Sequence, residues 1–131
     1  MQLSKFTDYG FRALIYLAKN SDSHSTVEKL ACELEVSHHH LKKVINKLGK
    51  SGFIIAEKGR GGGLKLGDLP ENINLGKVLL VTEDNLNLVE CMGDNSVCPL
   101  ISEGCRLKGV INRALESFIN EMSKYTLGDI L

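Results

Sequence analysis

Residues 37–66 constrain the fold more than any other part of this chain. Ser37 is a good helix N-cap, and the apolar residues after it fall at i, i+3, i+4 and i+7: Leu41, Val44, Ile45 and Leu48. Gly52 ends this helix. The strand-like runs FIIAE and LKL then flank KGRGGG, a turn whose glycines accept positive φ. The pattern predicts a helix followed at once by a β-hairpin.

A shorter helix directly precedes this unit. Ser25 and Glu28 have the spacing of a capping box, and the apolar face that follows consists of Val27, Leu30, Ala31 and Leu34. A break at Glu35 and Val36 separates the two helices by a tight turn. Two short helices joined in this way, the second of them basic on its outer side, are typical of a helix-turn-helix, and the hairpin makes it a winged helix.

Further helices are predicted on both sides of the winged helix. Ser4 caps a first helix with small or apolar residues at helical spacing: Phe6, Gly10, Ala13, Leu14 and Leu17. Residues 73–89 predict another, with Leu75, Val78 and Leu79 facing inward. Residues 106–126 predict a long helix, whose apolar positions are Leu107, Val110, Ile111, Ala114, Leu115, Phe118, Ile119, Met122 and Tyr125.

The wide apolar face of the last helix exceeds what one small winged helix can cover. It therefore predicts a homodimer in which this helix packs against its copy, the alternative being a core helix of a monomer. The expected fold is mainly α with a small β-hairpin. A winged helix-turn-helix domain spans 1–72, and 73–131 contains a loop at 91–105 and the dimerisation helix at 106–126.

Charge divides the chain into two unlike parts. Residues 1–66 hold 11 Lys and Arg against 6 Asp and Glu, whereas residues 67–131 hold 5 against 10, so a net charge of zero conceals parts of +5 and −5. Such asymmetry is expected when only the first part meets a polyanion, although an unevenly charged solvated surface would look the same. We expect the polyanion to be double-stranded DNA.

The predicted DNA-facing residues lie opposite the apolar stripe of the third helix: His39, Lys42, Lys43, Asn46 and Lys50. His38, His39 and Lys42 stand in its first turns, from which side chains reach base edges in the major groove, while lysines bind phosphates. Arg60, between the wing glycines, can enter a minor groove. The histidine run cannot ligate one ion, since consecutive helix positions diverge, and the wing lacks the Lys-Ser/Thr ending of a phosphate loop.

Three cysteines, Cys91, Cys98 and Cys105, follow one another at intervals of seven residues in a segment that glycines and Pro99 predict to be a loop. No signal peptide or membrane span is evident, so we expect a cytoplasmic protein, in which thiols serve metal or redox chemistry before disulfides. Zinc sites favour closer pairs, and these wider intervals suit an iron-sulfur cluster of two or four irons. A thiol switch and zinc remain alternatives.

Several stretches resemble a known family, the iron-sulfur winged-helix repressors, and within it the nitric-oxide-sensing members. They are LSKFTDYGFRALIYLA, VSHHHLKKVINKLGKSGFI, KGRGGGLKLG, INLGKVLL, the three-cysteine loop ending in CRLK, and YTLGDIL. The resemblance covers essentially the whole chain. In the cluster-assembly regulators of the same family a histidine follows the third cysteine by three residues, where this chain has Lys108.

The resemblance implies a homodimer whose long helices cross, with a cluster on Cys91, Cys98 and Cys105 and with Asp8 of the partner subunit as fourth ligand. It implies a repressor that holds a pseudo-palindromic operator while the cluster is intact and releases it when nitric oxide reacts with the iron. The residues themselves leave Cys32 open as the fourth ligand, and Asp8 as a carboxylate that complements a helix dipole.

Two other functions use the same ligands. One is a family member that senses iron supply or redox state, and the other is a small redox module. No nucleophile and base pair is recognisable, and a redox module would leave the basic third helix without a role, so we do not expect an enzyme.

Overall fold

The computed structural model describes residues 1–95 and 97–131, which contain six α-helices, three short 3₁₀ turns and one two-stranded hairpin. In chain order the α-helices and strands are α1 (Lys5–Lys19), α2 (Val27–Glu33), α3 (His38–Lys50), β1 (Ile54–Glu57), β2 (Gly63–Leu66), α4 (Leu75–Thr82), α5 (Pro99–Ser102) and α6 (Leu107–Met122). The predicted fold class, mainly α with a small hairpin, is confirmed.

The helix α2 begins one residue later than the sequence predicted. Thr26 is its N-cap, because the Thr26 hydroxyl accepts the backbone N–H of Lys29 at 3.1 Å. Ser25, the predicted cap, is instead buried, and its carbonyl accepts the backbone N–H of Leu64 in β2 at 2.7 Å. The capping-box prediction was therefore wrong, since Ser25 is engaged by the hairpin.

The turn between α2 and α3 lies where the sequence placed it. Glu35 has a φ of 53°, a left-handed conformation that reverses the chain, and the N–H of Val36 returns to the carbonyl of Ala31 at 3.0 Å. Ser37 then caps α3, its hydroxyl accepting the N–H of His40 at 3.4 Å. These contacts fix the orientation of α3 relative to α2.

The wing packs against the loop before α2. Its strands pair antiparallel from Ile54 with Leu66 to Glu57 with Gly63. Gly63 has a φ of 130°, and a Cβ there would overlap the carbonyl oxygen of Ser25, so this position requires glycine. The close approach holds the base of the wing beside the helix-turn-helix.

The core lies between α1, α3 and α4, where the largest buried side chains include Leu14, Leu41, Leu48 and Leu79. The helix α4 ends at Thr82 and not at residue 89 as predicted. Its C-cap, Glu83, turns toward the start of α1, where its carboxylate accepts the backbone N–H of Ser4 at 3.1 Å and the hydroxyl of Thr7 at 2.6 Å. The backbone of Glu83 is extended, so the helix ends here and the carboxylate lies beside the start of α1.

The helix α6 is also shorter than the predicted 106–126. After Met122 the chain turns back onto α4, so that Tyr125, assigned to the helical stripe from the sequence, lies outside the helix. The N–H of Leu127 donates to the carbonyl of Ile73 at 2.8 Å, and the Leu127 side chain is fully buried. Burying this leucine requires the chain to leave the helical path.

The last turn of α6 is anchored to the start of α4. The side-chain amide of Asn74 donates to the carbonyl of Ser123 at 2.7 Å, and a Cβ on Gly76 would overlap Ser123. Along α6 itself no residue is buried within the described chain, and apolar side chains such as Leu107, Val110 and Phe118 are exposed. Across the described residues, none of the helices is both long and apolar enough to cross a membrane.

Candidate DNA-binding surface and cysteine segment

The outer side of α3 carries the residues that the sequence predicted to face DNA. Burial of the apolar stripe leaves six of them exposed: His38, His39, Lys42, Lys43, Asn46 and Lys50. Arg60 is exposed between the two strands of the wing. The structure thus gathers the six on one helix and places Arg60 on the adjoining hairpin, and their contact with DNA stays a prediction.

The three consecutive histidines have different surroundings. His38 places its Nε2 atom 3.2 Å from a carboxylate oxygen of Glu28 on α2. His40 is half-buried and packs on α1, its ring centroid 5.1 Å from that of Tyr9 and 6.2 Å from that of Phe6. This difference is expected, because adjacent positions on a helix point in different directions.

Glu28 contributes a negative charge beside this basic surface. Hydrogen bonding from its own backbone N–H, followed by the bond to His38, lowers the pKa of the Glu28 carboxyl below its usual value. The group is consequently a carboxylate at neutral pH.

Lys47 was missed by the sequence argument. It is exposed on α3, four residues after Lys43 and three before Lys50, so the three lysines share one side of the helix. Lys58, at the start of the wing turn, is exposed as well. A count of i, i+4 and i+7 positions from Lys43 would have found Lys47, and it extends the row of predicted phosphate contacts.

The prediction that the cysteine segment is not one continuous helix is confirmed, but the segment is not all loop, because it contains the short helix α5. Cys91 lies in a 3₁₀ turn, Glu90–Met92; Cys98 immediately precedes α5; and Cys105 lies just before α6. Cys91 and Cys98 are half-buried, Cys105 is exposed, and all are free thiols. Three thiols in so short a segment fit the donor chemistry of an iron-sulfur cluster.

The single chain does not bring these thiols together. Over residues 1–95 and 97–131, no three His, Cys, Asp or Glu side chains are grouped so as to hold a metal ion. The three thiols are therefore suitable ligands for a cluster, but they would have to come closer together to bind one.

The two candidates for a fourth ligand are both accessible. Asp8, on the first turn of α1, is about half exposed and pairs with Arg12 at 2.7 Å. The Arg12 guanidinium also lies 5.8 Å from the ring centroid of Tyr9. Cys32 is exposed on α2, within the helix-turn-helix. Accessibility alone does not choose between them.

Comparison with known families decides the class of protein. Residues 3–131 match the model of Rrf2, described as an iron-dependent transcriptional regulator. The chain belongs to the Rrf2 family. It is accordingly a DNA-binding transcriptional regulator and not an enzyme.

Relatives of similar length support this assignment. The chain is 45% identical over 132 residues to the HTH-type transcriptional regulator NsrR of Halalkalibacterium halodurans, with 100% of this chain and 90% of the relative covered. It is 42% identical over 132 residues to the regulator of the same name from Bacillus subtilis, again covering 100% and 90%.

Two solved structures share the fold. The structure of T. potens IscR matches with a TM-score of 0.76 at 22% identity, covering 99% of this chain and 85% of that one. CymR, the global cysteine regulator of B. subtilis, matches with a TM-score of 0.74 at 23% identity, covering 99% and 95%. At these identities the likeness establishes architecture alone.

Proposed function

We propose that this protein is a homodimeric repressor that binds a pseudo-palindromic operator through α3 and the wing, and that nitric oxide releases it by way of an iron-sulfur cluster in the cysteine segment. The observation that carries the DNA-binding part is the exposed basic side of α3 beside a protruding wing. A helix of this kind enters the major groove, and its lysines replace counterions at the phosphates.

Lys43→Ala should weaken binding to every DNA sequence by a similar factor, because a lysine that meets a phosphate adds affinity without reading a base. The slope of log affinity against log salt should fall in magnitude by about one. The affinity and its salt dependence are both measured by fluorescence anisotropy of a labelled duplex. The native protein first selects this duplex from a random pool. Lys77→Ala is the matched control, because Lys77 is also exposed but lies on α4. An unchanged slope for Lys43→Ala would exclude Lys43 from the interface.

The dimer is supported by the uncovered apolar side of α6. Exposed leucine, valine and phenylalanine side chains along one helix cost free energy in water unless another surface covers them. A second copy of α6 supplies a surface of the same length and chemistry, and a two-fold axis between the copies matches a pseudo-palindromic operator.

Phe118→Glu should convert the protein to a monomer, because a carboxylate would be buried without a partner where the two α6 helices meet. Analytical ultracentrifugation at micromolar concentration measures the change. Asn120→Glu is the control, since Asn120 is exposed on the same helix outside the apolar stripe. A native protein that sediments as a monomer would contradict the dimer directly.

The proposed ligands of the cluster are Cys91, Cys98 and Cys105 of one subunit with Asp8 of the partner subunit. When bound, such a cluster supplies iron that a diatomic molecule can attack at the more weakly held, carboxylate-bound position. The chain's own contribution is to bring three thiolates together. Asp8 is free to contribute because its present partner, Arg12, is itself half exposed, and an exposed ion pair is readily exchanged.

We expect α4 to couple the cysteine segment to the DNA-binding helices. Residues 83–106 connect α4, which packs on α1 and α3, with α6. Holding three thiols of this connection together restricts it, and through α4 restricts where the two α3 helices of a dimer lie. Release of the thiols removes the restriction, so the spacing of the recognition helices shifts.

A sensor of iron supply is the second candidate, favoured by the description of the Rrf2 family as iron-dependent. If the protein senses iron supply, an iron chelator should release it from the operator, whereas nitric oxide should have no effect on the intact protein. Titration of the DNA complex with each reagent separates the two functions.

A further inference from the structure

The contact between Glu28 and His38 crosses the turn of the helix-turn-helix. Glu28 is the second residue of α2 and His38 the first of α3, and the atoms in contact are a carboxylate oxygen and Nε2, 3.2 Å apart. The Glu28 side chain is 75% exposed and that of His38 is 49% exposed. His38 is one of the residues predicted to face DNA, and both side chains of the pair are accessible beside that surface.

The contact with Glu28 determines which ring nitrogen of His38 can accept a hydrogen bond from a base. A carboxylate only accepts hydrogen bonds, so Nε2 must carry the hydrogen, and in the neutral imidazole Nδ1 is then an acceptor. No other residue of the described chain forms a hydrogen bond with the His38 ring. Such an acceptor complements an amino group on a base edge, which adenine and cytosine present in the major groove.

The negative charge of Glu28 also affects which DNA sequences the protein prefers. A carboxylate on the DNA-facing surface repels phosphates, and this cost is offset only where neighbouring groups make good contacts. DNA that lacks the His38 contact bears the repulsion without that compensation. The repulsion thus keeps the affinity for unselected DNA low, whereas at the operator the His38 contact offsets it.

We propose that Glu28 is a positioning residue for base recognition, which orients His38 toward one base pair of each half-site and disfavours DNA without that pair. The inference rests on the proposed DNA-binding function and names a determinant of its specificity. Glu28 itself need not contact a base.

The test is selection from a random pool of DNA duplexes by the full-length protein, purified without oxygen, followed by sequencing. Glu28→Ala and His38→Ala should each reduce base preference at the same position of the half-site, by about fivefold or more, the usual value of one good base contact. Glu28→Gln keeps a hydrogen-bond acceptor and should retain most of the preference. It should nevertheless bind random DNA more tightly, because the charge is gone.

Glu33→Ala is the control for charge on α2. Glu33 is exposed on the same helix, and within residues 1–95 and 97–131 its side chain forms no hydrogen bond or ion pair. Its variant should select the native sequence with native preference. The double variant Glu28→Ala with His38→Ala should lose no more preference than His38→Ala alone, because Glu28 acts through His38.

Three results would overturn the inference: an unchanged preference in Glu28→Ala, a loss at a different base pair from that of His38→Ala, or additive losses in the double variant. Since Glu28 is exposed, these variants should fold, and thermal unfolding verifies it. A native protein that selects no sequence at all would instead refute the proposed function, and the inference with it.

Discussion

Cys105→Ala is expected to give a folded, colourless protein whose DNA binding no longer responds to nitric oxide. Cys105 is exposed, so its replacement removes a thiol without creating a cavity. Two cysteines and a carboxylate cannot complete the set of about four ligands that a cluster needs. Visible absorption after anaerobic reconstitution with iron and sulfide measures the loss, and circular dichroism verifies the fold.

Cys32→Ala supplies the matched control, because Cys32 is also an exposed free thiol. We expect it to keep the full visible absorption, whereas Asp8→Ala should keep a cluster that decays faster. Loss of colour in Cys32→Ala would assign the fourth ligand to Cys32. Full colour in Cys105→Ala would exclude Cys105 as a ligand.

Leu127→Ala is expected to lower the free energy of unfolding by about 2–5 kcal/mol, the range for a fully buried leucine. Its side chain has no exposed surface and joins the main core from a segment that follows α6. Urea denaturation of the protein at fixed concentration measures the difference. The size of the effect would show that residues 123–131 are part of the folded core.

Leu131→Ala is the comparison, since Leu131 is 50% exposed in the same segment. Its change in unfolding free energy should lie within about 0.5 kcal/mol of zero. Equal effects of the two substitutions would contradict the burial of Leu127.

The helix-turn-helix could be predicted from the sequence because its determinants are local. The stripe of α3, the cap at Ser37 and the break at Glu35 each depend on residues within a few positions of one another. The same is true of the wing, where glycines mark the turn. The exposure of the proposed DNA-binding residues followed directly from that periodicity.

The ends of α4 and α6 could not be predicted, because distant residues determine them. Glu83 leaves the helical path to bind Ser4 and Thr7, which lie 79 and 76 residues away in the chain. Asn74 pairs with Thr126, which also lies far away in the chain, and this pairing accompanies the burial of Leu127. Residues at helical spacing continue beyond the ends of α4 and α6. The sequence pattern therefore did not indicate the tertiary contacts at these ends.

The candidate sites were predicted to different degrees. The type and number of thiols at Cys91, Cys98 and Cys105 pointed to a cluster, but spacing alone cannot tell whether one chain gathers them, and the described residues show that it does not. The contact between Glu28 and His38 was also beyond the sequence argument. Ten residues separate the pair, and only the geometry of the turn brings them together.

The most direct test of the account is the visible spectrum of anaerobically purified protein bound to its selected DNA, recorded during titration with nitric oxide while anisotropy follows the DNA. We predict a broad sulfide-to-iron absorption that bleaches as the DNA is released, with neither absorption nor release in Cys105→Ala. A protein that stays colourless after reconstitution, or whose DNA is retained while the absorption bleaches, would contradict it.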